Sequence, residues 1–405
     1  MTTATPRHSD ASNDAGVNSL GFAKQPVDTR VLVAMSGGVD SSVTAALLHE
    51  QGYEVVGITL QLYDHGVAMQ AKGACCAGAD IHDARTVAGR LGIPHYVLDY
   101  EGRFHDQVMQ DFADSYLRGE TPIPCVRCNQ TVKFTDLLKT ARDLGADCLA
   151  TGHYVQRIDA DGSAELHRGA DPSKDQSYFL FATTPDQLDY LRFPLGGMSK
   201  EETRTLARRY GLSVADKPDS QDICFVPNGR YGDVVRRLRP GAVEVGQIVH
   251  LDGTVLGKHN GVIDFTIGQR RGLGIGGRKD ADVSDGPLYV VAIDAASHRV
   301  LVGPHSALAC HRLGLSKVSW ISPDGAPEAG TAVLARLRNT APALPATITT
   351  VEGDMALVAL DAPQSGISTG QAAVLYDASN PDRVLGGGWI TDAPTAGAEA
   401  ARPSY

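Results

Sequence analysis

The chain has 405 residues, 42% of them hydrophobic and 21% charged, and a formal net charge of −10; that length suits two or three domains with separate cores. No apolar run approaches the ~20 residues of a membrane-spanning helix, which excludes a helical membrane protein. The first 29 residues lack the basic start and apolar segment of a secretory signal and carry acids that transit peptides avoid. A cytoplasmic protein is therefore expected, with Cys75, Cys76, Cys125, Cys128, Cys148, Cys224 and Cys310 mostly reduced.

In chain order, residues 1–29 read as a disordered tail. From residue 30 strand and helix patterns alternate. "RVLVAM" is a strand, "SVTAALLHEQG" a helix with Ala45, Leu47 and Leu48 inward, and "EVVGITLQLY" a strand. Then come "ADIHDARTVAGRLG" as a helix, "PHYVLDY" as a strand, helices around 103–118 and 130–144, and the strand "DCLATGHY". Apolar strands separated by helices predict a doubly wound parallel sheet covered on both faces. Ligands of such sheets bind beyond the carboxyl ends of the strands, where "SGGVDS" and "TGHY" fall.

After about residue 225 glycine becomes frequent and short β patterns dominate. The predicted division is an α/β domain over 30–225, a small β-rich module over 226–285, a C-terminal antiparallel β-barrel over 286–395 and a tail over 396–405. From Val226 to Lys279 there are nine Lys/Arg and four Asp/Glu, an excess of +5 inside an acidic chain. Arg230, Arg236, Arg237, Arg239, Lys258, Arg270, Arg271, Arg278 and Lys279 could neutralise phosphates. The alternative is a solvated face.

Gly37 and Gly38 remove the Cβ atoms that would keep a ligand off the backbone. A turn of this kind feeding a helix N-terminus forms a concave anion site. Ser36, Ser41 and Ser42 would add hydroxyl donors, and Asp40 could hold a magnesium ion bridging phosphates. The motif is neither G-x-x-x-x-G-K-[ST] nor G-x-G-x-x-G, and it contains no lysine to reach a terminal phosphate.

Two cysteines stand out. Cys128 precedes "NQTVKFTDLLKTA", so a helix N-terminus, with Arg127 and Lys133 nearby, is expected to lower its thiol pKa. Asp219 and Asp222 precede Cys224 and disfavour a thiolate there. Cys125 and Cys128 have C-x-x-C spacing, but tetrahedral zinc needs a second ligand pair that the remaining cysteines do not supply. Cys75, Cys76, Cys148 and Cys310 read as structural or incidental, and Tyr154, Tyr178 and Phe179 as packing.

"SGGVDS" resembles the pyrophosphate loop of the ATP pyrophosphatases. With "TPIPCVRCNQTVKFTDLL", "ATGHY", "KDQSYFL", "DSQDICFVP", "IGQRRGLGIGG" and "LGGGWI", residues 30–391 resemble the tRNA-specific 2-thiouridylases. The resemblance implies an adenine-nucleotide alpha hydrolase-like fold and thiolation of the wobble uridine. ATP would meet Ala34, Met35, Ser36, Gly37, Gly38, Val39, Asp40, Ser41, Ser42, Leu60 and Gly152. Cys224 would carry a persulfide supplied by a donor protein, a relay carrier or a cysteine desulfurase, and Cys128 would be its nucleophilic partner. Transfer RNA would meet His153, Lys174, Asp175, Gln176, Arg270, Arg271, Arg338 and Gln371. The chain departs from the family pattern at Cys125, where some members carry aspartate, and at Ile123 in place of asparagine. Alternatives are a small-molecule amide or arginine-pathway ligase, a non-catalytic RNA-binding or sulfur-carrier protein, and a tRNA thiolase with an iron–sulfur cluster on Cys125, Cys128 and Cys224. The persulfide route is preferred.

Overall fold

The structure, a computed structural model, describes residues 16–63, 76–160, 162–219, 223–226, 229–275, 286–322, 324–394 and 397. Cys75, Asp222, Arg278, Lys279, residues 1–15 and nearly all of 396–405 lie outside them.

The aliphatic runs form β1 (Arg30–Ala34), β2 (Glu54–Gln61), β3 (His95–Asp99) and β4 (Cys148–Ala150). A hairpin of β5 (Val155–Ala160) and β6 (Ser163–Arg168) follows, and the two-residue β7 (Leu191–Arg192) returns to pair with β4. The resulting sheet is parallel throughout, in the order β3-β2-β1-β4-β7. The chain leaves β1 toward β2 and later re-enters on its other side at β4. Strand order therefore reverses between β1 and β4, where an open α/β sheet forms its ligand crevice. Both motif loops start there.

Helices cover both faces. On one, α1 (Val39–Glu50) and α2 (Cys76–Leu91) bury Val43, Leu48, Ala84 and Val87 against Val31, Val33 and Val55. The other is covered by α4 (124–143), whose Phe134, Leu137 and Ala141 meet Leu32, Ile58 and Leu149. A further helix, α3 (101–117), widens into a π-turn at His105–Met109, and α4 does the same at Asn129–Leu137, directly after Cys128. Two more helices, α5 (Pro185–Tyr190) and α6 (Lys200–Arg209), each begin with a capping box.

The tail is shorter than expected. Residues 16–29 pack on the sheet: Leu20 is buried, its carbonyl accepts from Arg192 Nε (2.7 Å), and Pro26–Asp28 forms a 3₁₀ turn leading into β1.

The central module contains α7 (Tyr231–Leu238), β8 (Gly246–His250), β9 (Val255–His259), β10 (Tyr289–Asp294) and β11 (Arg299–Gly303), the strands in the order β10-β11-β8-β9. The boundary expected at 285/286 cuts through this sheet, because β11 pairs in parallel with β8. The barrel therefore starts at β12 (Cys310–Trp320) and closes through β13 (Ala332–Arg336), β14 (Leu344–Glu352), β15 (Met355–Gln364), β16 (Ala372–Asp377) and β17 (Val384–Asp392). Register shifts toward both neighbours break the alternation of β12, and Lys317 has φ +48°.

The barrel docks on the first domain through Ile321, Val374 and Tyr376, which join the core of its sheet. Tyr178 donates to Ala372 O (3.0 Å), Ser177 Oγ meets Tyr376 Oη (2.8 Å), and Gln371 Nε2 donates to Thr121 O (2.8 Å).

Candidate active site

The phosphate loop is built by close backbone approaches. Gly37 has φ +76°, and a Cβ there would stand 2.1 Å from Asp80 O, so only glycine lets α2 seat against the turn. Gly38 caps α1, whose first helical bond runs from Ser42 N–H to Gly38 O (3.2 Å). The amides of Val39, Asp40 and Ser41 thus have no acceptor within the helix and point out of its end. Gly152, from the β4 loop, packs against the start of α1: a Cβ would lie 2.8 Å from Asp40 C and Ser41 N. Ala34 ends β1, buried Met35 accepts from Thr59 Oγ1 (2.7 Å), and half-buried Leu60 pairs with Leu98 across β2 and β3.

The serines divide their roles differently from the sequence expectation. Ser41 and Ser42 are buried and donate to Gly38 O (3.2 and 2.8 Å), and Ser41 Oγ also accepts the Ser36 amide (3.1 Å). Their hydroxyls hold the turn in shape. Ser36 is the exposed one.

The lysine missing from the loop arrives from elsewhere. Lys200, at the first position of α6, places Nζ 2.7 and 2.9 Å from the Asp40 carboxylate and 2.8 Å from Asp219 Oδ1. Lys217 Nζ donates to Gly37 O (3.0 Å) while pairing with Asp80 (2.7 Å) and Asp83 (2.6 Å) on α2. The Tyr154 hydroxyl donates to Asp40 Oδ1 (2.8 Å), so it is part of the site and not packing alone; burial raises its pKa. Pattern reading missed the two lysines and took Tyr154 as packing because all three lie over a hundred positions from the loop. One signal was present: "SKEE" is a capping-box signature that places Lys200 in a first helical turn.

Asp219 also holds Lys174 (2.8 Å) and Arg204 (3.0 Å). Burial would raise its pKa, but the hydrogen bonds and charges of Lys174 and Lys200 prevail and hold it at about 2. Asp40 and Asp219 converge on one cation position, filled by the Lys200 ammonium. Two carboxylates aimed at one point suit a magnesium ion that keeps water and phosphate oxygens as its other ligands. Among the described residues no three of His, Cys, Asp and Glu are placed to hold a metal by themselves.

Residues 217–226 link the loop to the cysteines. Lys217 and Asp219 touch the loop and its lysine, and Cys224 follows five residues after Asp219, a reach of at most about 18 Å. Phe225 anchors the far end, edge-on to Phe104 (5.7 Å) and Phe112 (5.1 Å) of α3, in the cluster that also buries Cys128. The Cys224 carbonyl accepts from Tyr63 Oη (2.9 Å).

Cys128 is not at a helix N-terminus. Its helix starts at Pro124, which leaves Cys128 in the second turn and buried. Burial pushes its thiol up; Lys133 pulls it down, and Cys125 raises it further. The expected low pKa is thereby overturned, since desolvation outweighs the single nearby cation. Arg127 is turned to Asp111 (3.5 Å). Although Cys224 reaches the surface, crowding pushes its thiol up to about 12, with Cys125 and Cys128 acting in the same direction. The proton is held by desolvation and by the neighbouring thiols, and not by Asp219, whose charge is matched by three cations. Cys148 and Cys310 are core residues, as expected.

Three family models match the chain in series: "tRNA methyl transferase HUP domain" over residues 29–228, "tRNA methyl transferase PRC-barrel domain" over 237–304 and "Aminomethyltransferase beta-barrel domain" over 310–390. Proteins named tRNA-specific 2-thiouridylase MnmA align over nearly the full length. That of Rhodospirillum centenum is 64% identical, covering 96% of this chain and 98% of its own. Those of Hyphomonas neptunium (61%; 92% and 94%) and Paracoccus denitrificans (60%; 93% and 95%) are similar in extent. The chain belongs to the tRNA-specific 2-thiouridylase family.

The tRNA contacts carried over from the 2-thiouridylases fall into two groups. Arg270, Arg271 and Arg338 are exposed. The others serve inside the fold. His153 packs edge-on between Phe134 (6.2 Å) and Phe193 (6.4 Å), and burial with Lys133 lowers its pKa to about 3, which disfavours its charged form. Asp175 is buried and pairs with Arg336 (2.6 Å). Gln176 accepts the Tyr154 amide (2.9 Å), Lys174 pairs with Asp219, and Gln371 joins the barrel to the loop before α4.

Proposed function

We propose that this chain uses ATP to convert the wobble uridine of tRNA to 2-thiouridine. The observation that carries the reading is the segment 217–226, which contacts the phosphate loop at one end and bears Cys224 beside Cys128 at the other. The α1 amides, Gly37 and Gly38 would bind the phosphates, with Leu60 and Gly152 toward the adenosine. Asp40 and Asp219 would hold a magnesium ion with them, which neutralises phosphate charge.

Uridine O2 is a poor leaving group, so its attack on the α phosphorus expels pyrophosphate and turns it into a better one. The uridine must leave its stack to enter the site, and an anticodon loop permits this at low cost. The terminal sulfur of a Cys224 persulfide then attacks C2, and AMP departs with the oxygen. Cys128 as thiolate attacks Cys224 Sγ, so a Cys128–Cys224 disulfide forms and the outer sulfur stays on C2. An external thiol reduces the disulfide before the next cycle. The exposure of Cys224 suits a meeting with a sulfur-donor protein, a persulfide carrier or a cysteine desulfurase.

The test is a single turnover with persulfide-loaded protein, tRNA transcript and ATP. Equimolar 2-thiouridine, AMP and pyrophosphate are expected. ADP and phosphate as the main nucleotide products would overturn the ATP reading. Thiolation that depends on protein-bound iron would replace the persulfide route with the cluster.

A further inference from the structure

Two ammoniums touch the phosphate loop: Lys217 is held by Gly37 O, Asp80 and Asp83, whereas Lys200, whose side chain is 12% exposed, bridges Asp40 in the loop to Asp219. We propose that Lys200 binds the leaving pyrophosphate portion of ATP, and that through Asp219 it couples the occupancy of the loop to the segment that carries Cys224. The inference rests on the ATP reading above.

Three features point this way. In the cluster, Lys200, Lys174 and Arg204 meet Asp40 and Asp219, with the Asp171 carboxylate also acting on Lys174, and the Lys200 ammonium sits on Asp40, the second residue of α1. An anion arriving at the helix end would meet both the α1 amides and this ammonium. Next, the Lys200 backbone is fixed while its side chain can turn. Ser199 and Glu202 form the capping box, and the Lys200 amide donates to Asp171 Oδ2 (3.1 Å). The ammonium can exchange Asp40 for a phosphate oxygen on its flexible stem without moving the helix. As the bond from the α phosphorus to its bridging oxygen breaks, the electron pair passes to pyrophosphate, where a fixed cation stabilises the growing charge.

The third feature is Asp219. A change in Lys200's partner changes one of the three cationic contacts that hold Asp219, five residues before Cys224. Lys217, two residues earlier, grips Gly37 O of the same loop. The Cys224 segment is thus tethered at two points to groups that meet the phosphates. Lys200 is a phosphate ligand in this scheme, and Asp219 is a positioning residue.

Calorimetric titration of the full chain with ATP, AMP and inorganic pyrophosphate tests the first part. Lys200→Met should weaken ATP and pyrophosphate about 10- to 100-fold, the effect of a lost charge-assisted bond, and leave AMP within about twofold. Lys200→Arg should recover part of the loss. Retained AMP binding also shows that the variant folds. Equal loss for all three ligands, or no loss, overturns the Lys200 assignment. The second part is read from the alkylation rate of Cys224 with and without pyrophosphate. Pyrophosphate should change it in the wild type and not in Asp219→Asn; an unchanged wild-type rate overturns the coupling. Wild-type protein that binds no ATP would sink the ATP reading as well, whereas binding unaltered in Lys200→Met refutes only this inference.

Discussion

At the scale of single residues, the chemistry turns on how firmly each thiol holds its proton. Alkylation requires thiolate, and burial pushes Cys224 up to about 12. Its rate with iodoacetamide should therefore rise about tenfold per pH unit from 7 to 10, followed by mass spectrometry of the labelled peptide. A plateau below pH 9 would show an ordinary thiol. Cys128→Ala and Cys224→Ala should each abolish thiolation, because in the proposed scheme the two would act in different steps. Cys148→Ala should keep measurable activity in an assay of radiolabelled sulfur incorporation into tRNA, since Cys148 is fully buried inside β4. Cys125→Ser separates the remaining roles: full activity excludes a base or cluster ligand at that position, and complete loss together with iron in the wild type favours the cluster.

At the scale of elements, the site is held where three pieces of chain meet: the β1–α1 turn, the β4 loop and the segment 217–226. Phe225 fixes the end of the last piece against Phe104 and Phe112. Phe225→Ala leaves a cavity worth about 3–5 kcal/mol. Melting temperature should fall and sulfur transfer slow, while ATP affinity, set at the other end of the segment, should stay near the wild-type value. Loss of ATP binding at a temperature where the variant is folded would contradict this division. The first two pieces were legible in the sequence because their causes are local: an aliphatic strand, paired glycines and a helix start within about ten residues. Lys200, Lys217 and Tyr154 reach the same loop from other elements, and no periodicity reports a contact made 114 to 180 residues away. The Cys128 environment was misjudged for a related reason. Pro124 starts the helix one turn earlier than the "NQTVK" pattern suggests, and burial by Phe104, Phe112 and Phe225 is invisible in spacing. The barrel was legible as a run of short β patterns, although the bulges of β12 interrupt its alternation.

For the molecule as a whole, the question is how an acidic chain meets an acidic substrate. The basic excess of the central module is partly consumed in ion pairs, one of which joins the module to the first domain. Arg239 grips Asp114 of α3 through two bonds (2.7 and 2.8 Å), Arg236 pairs with Asp264 (2.6 Å), and Arg230 lies 4.0 Å from Asp233. Among the described residues of the module, Arg237, Lys258, Arg270 and Arg271 are exposed and make no ion pair. Each phosphate neutralised by such a residue contributes about −0.9 to the slope of log affinity against log salt for duplex contacts. Reversing Arg270 and Arg271 together to glutamate should make that slope shallower by roughly 1.8. It should weaken all substrate tRNAs to a similar degree, because phosphate contacts do not read sequence. ATP affinity without tRNA should be unchanged, since the loop lies in the first domain. Arg239→Ala is the contrasting variant: it should lower thermal stability by loosening α7 from α3 and leave the salt slope nearly intact. The measurement is tRNA affinity of each variant at several salt concentrations, beside ATP affinity and a thermal melt. An unchanged slope in the Arg270/Arg271 variant would make these arginines a solvated face, and the tRNA backbone would then have to be met by other cations, with exposed Arg338 of the barrel the next to test.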